Sequence, residues 1–104
     1  VETSQIPFLV LSVPDLSQRL LYDPWTMRIL DLRPREACAA KRVPGSECAP
    51  EAELDKLGLA YAPGTKDLIL VEEKDLEKLP PAAAAFRGRV LVLEGGFAAW
   101  KAFA

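Results

Sequence analysis

Apolar positions along the chain fall into short blocks that alternate between strand-like runs and helical spacing. Ile6–Leu11 reads as a short strand. Ser12 then takes a helix-cap place, with Asp15 three residues on in the capping-box position and Pro14 in the first turn, where its missing N–H costs nothing. Val13, Leu16 and Leu20 recur at spacings of three and four, giving one apolar helical face that Leu21-Tyr22-Asp23-Pro24 ends. Met27–Leu32 reads as a second strand, and Pro34 follows two residues later. Arg35–Ala40 suits about one and a half turns of helix, after which Val43-Pro44-Gly45 must turn. Glu47–Ala49 is a short strand candidate. Pro50 opens a helix through Leu57, with Leu54 and Leu57 inward and Gly58 at the stop position, and Tyr61–Lys66 is a loop.

Leu68–Val71 and Val90–Leu93 are the most apolar blocks, and neither alternates with polar residues. Such runs suit parallel strands covered on both faces. Between them Ala82–Phe86 is expected to be helical behind Pro80 and Pro81, and Gly95-Gly96 turns the chain into a last helix, Phe97–Phe103. Strands alternating with short helices predict an α/β fold: a central, mainly parallel sheet of about five strands with helices on both faces. Leu68–Val71 and Val90–Leu93 belong in its interior, and Trp100 is expected to be largely buried.

With 104 residues, 50% of them hydrophobic and 27% charged, the chain fits one domain over residues 1–104. Its formal charge of −2 lacks the clustered basic face that nucleic acid requires. No apolar run approaches the roughly 20 residues of a membrane span. The chain starts at Val1 with no leader-like segment, so it reads as a domain cut from a longer protein, in preference to a chain whose leader was removed. It contains no His, and Cys38 and Cys48 alone cannot complete a four-ligand zinc site, so neither metal nor cofactor is expected. Composition assigns no compartment.

Two segments carry more than fold class. The first is Ile29-Leu30-Asp31-Leu32-Arg33-Pro34, followed by Ala39-Ala40-Lys41-Arg42-Val43-Pro44-Gly45-Ser46 and then Pro50. The second is Val90-Leu91-Val92-Leu93-Glu94-Gly95-Gly96-Phe97-Ala98-Ala99-Trp100. In this order and separation they resemble the rhodanese homology domain, whose pattern runs Asp-Val-Arg, Gly-His-Ile-Pro-Gly-Ala, then Leu-Glu-Gly-Gly-x-x-x-Trp. The likeness covers most of the chain, from about Phe8 to Lys101. It implies structural work for Asp31, Arg33, Pro44, Gly45, Gly95, Gly96 and Trp100. The glycines would allow the strand-to-helix turn, and Asp31 and Arg33 would tie loop to loop.

The resemblance also implies a catalytic Cys at the head of a loop after the strand Leu68–Val71, carrying a persulfide during sulfur transfer. A thiolate there needs N–H groups or cations around it. This chain instead has Glu72, Glu73, Lys74, Asp75, Leu76, Glu77 and Lys78, with no Cys, Ser or Thr and a local charge of −2. Neighbouring acids raise a thiol's pKa and repel an anionic substrate. Pro80 and Pro81 remove two more backbone donors. Where the family has Gly-His, Lys41-Arg42 stands, either facing the acidic loop or merely solvated.

For Cys38 and Cys48 three states are open: packed thiols, a mutual disulfide, or a displaced catalytic thiol, for which Cys48 is the better placed. The expected function is a catalytically inactive rhodanese-like module with a binding, regulatory or structural role. One alternative is a sulfurtransferase using Cys48 or a thiol from another domain. The other is a redox-responsive dithiol/disulfide protein. A protein partner, or an adjacent domain of the same chain, would dock where the parallel strands end, on Arg33, Lys41, Arg42 and the Glu72–Lys78 loop. Trp25 would add apolar contact unless it packs back onto its own domain. No small-molecule ligand is expected there.

Overall fold

Leu68, Ile69, Leu70 and Val71 are fully buried although their side chains point to alternate faces, so the strand they form must be covered on both sides. The computed structural model describes residues 9–76 and 78–103. Its strands are β1 (Leu9–Leu11), β2 (Met27–Asp31), β3 (Glu47–Cys48), β4 (Asp67–Val71) and β5 (Val90–Leu93). They form one sheet in the order β1-β5-β4-β2-β3, with every pairing parallel. Ile69 of β4 stands opposite Ile29 on one side and Leu91 on the other. β4 and β5 lie in the interior as expected from their unbroken apolar runs, and β2 is the third interior strand. The beginning of the first expected strand, residues 6–8, lies outside the described residues.

The helices are α1 (Val13–Tyr22), α2 (Arg35–Ala40), α3 (Pro81–Ala84) and α4 (Gly96–Phe103). The Ser12 hydroxyl accepts the Asp15 N–H at 3.3 Å, as the capping pattern predicts. α1 and α4 cover one face, where Leu16 and Phe97 meet Ile29, Ile69, Leu91 and Leu93. The other face packs Leu30, Leu68, Leu70 and Val92 against Leu54, Leu59 and Phe86.

Several expectations need correction. Glu51–Leu57 is a 3₁₀ helix, in which residues three apart eclipse. That geometry suits an apolar pair at Leu54 and Leu57, of which Leu54 is fully buried. Gly58, at φ +63°, ends it. A further 3₁₀ turn, Leu59–Tyr61, precedes the expected loop. α3 is shorter than expected, because the Phe86 N–H bonds back to the Ala83 carbonyl and drops the ring into the core. Trp100 is only partly buried. Phe97 takes the inward position of α4, and three residues at about 100° each leave Trp100 roughly 60° off that direction. Its ring packs at the core margin and beside Phe103, with centroids 6.3 Å apart.

At the edge where the strands begin, Asp67 gathers Arg89 at 2.6 Å and Arg19 at 2.9 Å. Arg19 also donates to the Thr26 hydroxyl, which in turn donates to the Asp23 carbonyl. The Arg89 hydrogen bond, aided by Arg19 against the opposing effect of burial, holds the Asp67 carboxyl below its ordinary pKa. A carboxyl depressed in the folded state stabilises the fold above its unfolded pKa, and that contribution fades as pH falls through the lowered folded value. Acid unfolding followed by circular dichroism should therefore show a shallower loss of stability below about pH 4 in Asp67→Asn than in the parent chain. Identical acid limbs would exclude this carboxylate as a contributor.

Candidate functional site

The opposite edge, where β2, β4 and β5 end, holds a buried ion pair. Asp31 closes β2, and the Leu32 N–H is held by the Val71 carbonyl, which brings Arg33 back over the strand end. Arg33 Nε lies 3.0 and 3.2 Å from the two Asp31 carboxylate oxygens, and Nη2 lies 2.8 Å from Oδ2. The Arg33 backbone N–H donates to the same carboxylate at 3.0 Å. Nη2 also donates to the Lys41 carbonyl, and the guanidinium carbon sits 3.8 Å from the centroid of the Phe97 ring. Nη1 is 3.6 Å from Glu73 Oε1. Asp31 is fully buried and Arg33 is 4% exposed, so water solvates neither charge well. The Asp31 hydrogen bond raises the guanidinium's pKa above its ordinary value, while burial acts against that shift.

Beside this pair, the segment after β4 folds onto the start of α4. Gly95 and Gly96 have φ +76° and +65°, the left-handed region where glycine is favoured. A Cβ on Gly96 would lie 2.6 Å from the Lys74 carbonyl oxygen, so glycine is also required for space. The resulting contact satisfies the helix start. The Phe97 N–H donates to the Glu72 carbonyl at 2.7 Å and the Ala98 N–H to the Glu73 carbonyl at 3.0 Å. Just before the helix, the Gly95 N–H donates to the Asp75 carboxylate at 2.6 Å. Within the loop, the Glu72 carboxylate accepts the Glu73 N–H at 3.0 Å. A helix start can hold an anion because its first N–H groups are unpaired. Here the chain's own carbonyls and an adjoining carboxylate take those donors.

Cys38 in α2 and Cys48 on β3 are joined in a disulfide, with Cα atoms 5.7 Å apart. Of the three states left open, this is the mutual disulfide, and it commits the Cys48 sulfur, the alternative nucleophile, to a bridge. Cys38 is fully buried and Cys48 partly exposed. Arg42 Nη1 lies 3.7 Å from Cys48 Sγ and 3.5 Å from the Cys38 carbonyl, so Arg42 faces the bridge. Among the described residues it is Arg33, not Lys41 or Arg42, that pairs with the acidic loop.

The expected docking residues therefore separate. Lys41, Arg42, Glu73, Lys74, Asp75 and Lys78 are exposed near the strand ends; Glu77 lies outside the described residues. Arg33 is buried and leaves that surface. Trp25 belongs to a 3₁₀ turn, Pro24–Thr26, ahead of β2, which places it at the opposite edge. It is 67% exposed and does not pack back onto the domain. Gly45 lines a groove with Pro24 and Met27 at that far edge, so Pro44 and Gly45 serve the turn into β3. The sequence reading missed Phe97 beneath Arg33, the Lys41 carbonyl and the Asp75 contact. Each acts across space on a residue distant in the chain, and no local spacing announces it.

The sequence model of the rhodanese-like domain matches residues 12–103. The chain belongs to the rhodanese-like domain family. Solved structures agree on the fold of this rhodanese-like domain. The Alr3790 protein from Anabaena sp. superposes with a TM-score of 0.77 at 24% identity, over 90% of this chain and 76% of that one. The solution structure of the rhodanese-like domain of Alr3790 gives 0.74 at 25% identity, over 91% and 74%. The BH2092 protein from Bacillus halodurans gives 0.75 at 21%, over 91% and 72%. The comparison with curated proteins finds no match.

Removing one partner of a buried ion pair leaves the other charge uncompensated, at a cost of about 3–5 kcal/mol. Asp31→Asn should lower the unfolding free energy by that order, measured by urea titration with an unchanged m-value. A loss of less than about 1 kcal/mol would mean that Lys41, Glu73 and Phe97 satisfy Arg33 without Asp31.

Proposed function

We propose that this rhodanese-like domain is a catalytically inactive module that binds a protein partner or an adjacent domain of its own chain. One observation carries the reading. The segment after β4, where the family resemblance calls for a nucleophilic Cys in an anion-holding loop, is acidic, and its carbonyls and a carboxylate accept hydrogen bonds from the N–H groups at the start of α4. A persulfide or thiosulfate approaching that place meets like charge where a sulfurtransferase needs donors and cations.

The docking face under this reading is the strand-end surface around Lys41, Arg42 and the Glu72–Lys78 loop. Exposed ion pairs contribute only about 0–1 kcal/mol each, so mixed charge there would govern orientation and association rate more than affinity. Reversing the charges at Lys41 and Arg42 should change the association rate with the parent chain's neighbouring domain or partner more at low salt than at high salt. No effect on rate or salt dependence would move the interface elsewhere.

A second reading, a protein that responds to redox conditions by opening and closing a dithiol, is favoured specifically by the Cys38–Cys48 bridge. The sulfurtransferase alternative has less support, since the same bridge occupies Cys48.

Thiocyanate formation from thiosulfate and cyanide should stay at the uncatalysed rate in the parent chain. Glu72→Cys should restore little, because one thiol does not supply the missing donors. Turnover that vanishes in Cys48→Ser would replace the inactive-module reading with an atypical sulfurtransferase.

A further inference from the structure

The two halves of the disulfide differ in ways that assign them different chemical roles. Cys38 sits on the inner side of α2 with no solvent exposure. Cys48 sits on a two-residue strand that, among the described residues, ends the sheet beside β2 and is partly open to solvent. Cys48 is therefore the half of the bridge that solvent reaches, whereas Cys38 is shielded from it. Charge reinforces the asymmetry. Arg42 Nη1 is 3.7 Å from Cys48 Sγ, and Lys41 is exposed next to it in the chain. The carboxylates adjoining Cys48 in sequence and in register are already engaged. Glu47 takes the Arg28 guanidinium at 2.8 and 3.2 Å, and Asp31, in register with Cys48, is consumed by Arg33. The guanidinium of Arg42 is thus the ionic group that the structure places against the sulfur, and an adjacent cation favours a thiolate.

We propose that Cys38–Cys48 is a thiol–disulfide exchange centre in which Cys48 is the exchanging sulfur, Cys38 the buried resolving thiol, and Arg42 the cation that stabilises the Cys48 thiolate. The proposal rests on the redox-responsive reading and adds to it the direction of attack and the substrate class, small thiols and their disulfides. In the reducing direction an external thiolate attacks Cys48 Sγ. The Cys38–Cys48 bond breaks as the mixed disulfide forms, and Cys38 leaves as a thiolate that takes a proton from water. A second external thiolate attacks the external sulfur of the mixed disulfide and releases Cys48 as a thiolate beside Arg42. The external disulfide formed carries away the two thiols' electron loss, and the bridge gains those two electrons. In the oxidising direction Cys48 attacks an external disulfide and Cys38 closes the bridge by expelling the bound thiol.

The test uses the folded chain in glutathione redox buffer, without denaturant, read by intact-mass spectrometry and peptide mapping after acid quench. Cys38→Ser should accumulate a glutathione adduct on Cys48, and Cys48→Ser should accumulate none on Cys38. Because either Cys variant could lose stability, a second measurement keeps both cysteines. In the reduced chain iodoacetamide should alkylate Cys48 about tenfold faster than Cys38. Arg42→Ala should slow Cys48 alkylation about threefold or more at pH 7 and move the midpoint of its pH profile upward. A bridge that resists reduction in the folded chain overturns both the redox reading and this proposal. A bridge that opens with equal alkylation rates, or with a pH profile indifferent to Arg42→Ala, overturns the proposal and leaves the redox reading standing.

Discussion

A guanidinium taken out of water must find acceptors for its N–H groups within the protein, and Arg33 draws them from four parts of the chain. Its carboxylate comes from the end of β2, its carbonyl from the residue that caps α2, its aromatic face from α4, and a weaker, more exposed charge from the loop after β4. Desolvating two charges is expensive and is offset only when geometry and hydrogen bonds are nearly complete. Arg33 therefore acts as a constraint on its surroundings. The far edge of the sheet is held differently, since Asp67 shares its charge between Arg89, which is largely in water, and Arg19. Solvent screens such pairs, and they contribute less per contact.

The same geometry separates family membership from chemistry. Gly95 and Gly96 belong to the segment most diagnostic of a rhodanese-like domain, yet here the missing side chain of Gly96 admits the carbonyls of Glu72 and Lys74. The helix start that an open α/β sheet commonly offers to an anion is turned inward. A fold-level motif can persist because it shapes a turn, whatever the neighbouring loop contributes.

Much of the architecture was legible because it depends on local chemistry. Unbroken apolar runs identified two of the three interior strands, β4 and β5, and Ser12 with Asp15 marked the start of α1. What escaped was set by angle or by distance in space. The inward direction of α4 passes through Phe97, so Trp100 is displaced toward the margin. Arg33 resembled a surface cation in sequence, and its burial follows from partners supplied by segments far along the chain. Trp25 was grouped with the strand-end surface although its turn precedes β2, and in a parallel sheet a residue before a strand and one after it lie at opposite edges. Whether Cys38 and Cys48 meet depends on how α2 packs beside β3, which their spacing does not fix.

The position of the disulfide has a kinetic consequence. The sheet centre forms when β2 finds β4, and the connection between them, from Asp31 to Asp67, contains the whole segment bridged by Cys38 and Cys48. Closing the bridge shortens the path that must be ordered, but loop entropy grows only logarithmically, so the saving at that step is roughly 0.3 kcal/mol. The edge strand β3 gains more, because its partner α2 is already tied to it before the chain collapses. An oxidised and a reduced chain should thus begin assembly at nearly equal speed. They part company on the way out, where the tethered edge strand must peel from β2 and the intact bridge slows escape from the native basin.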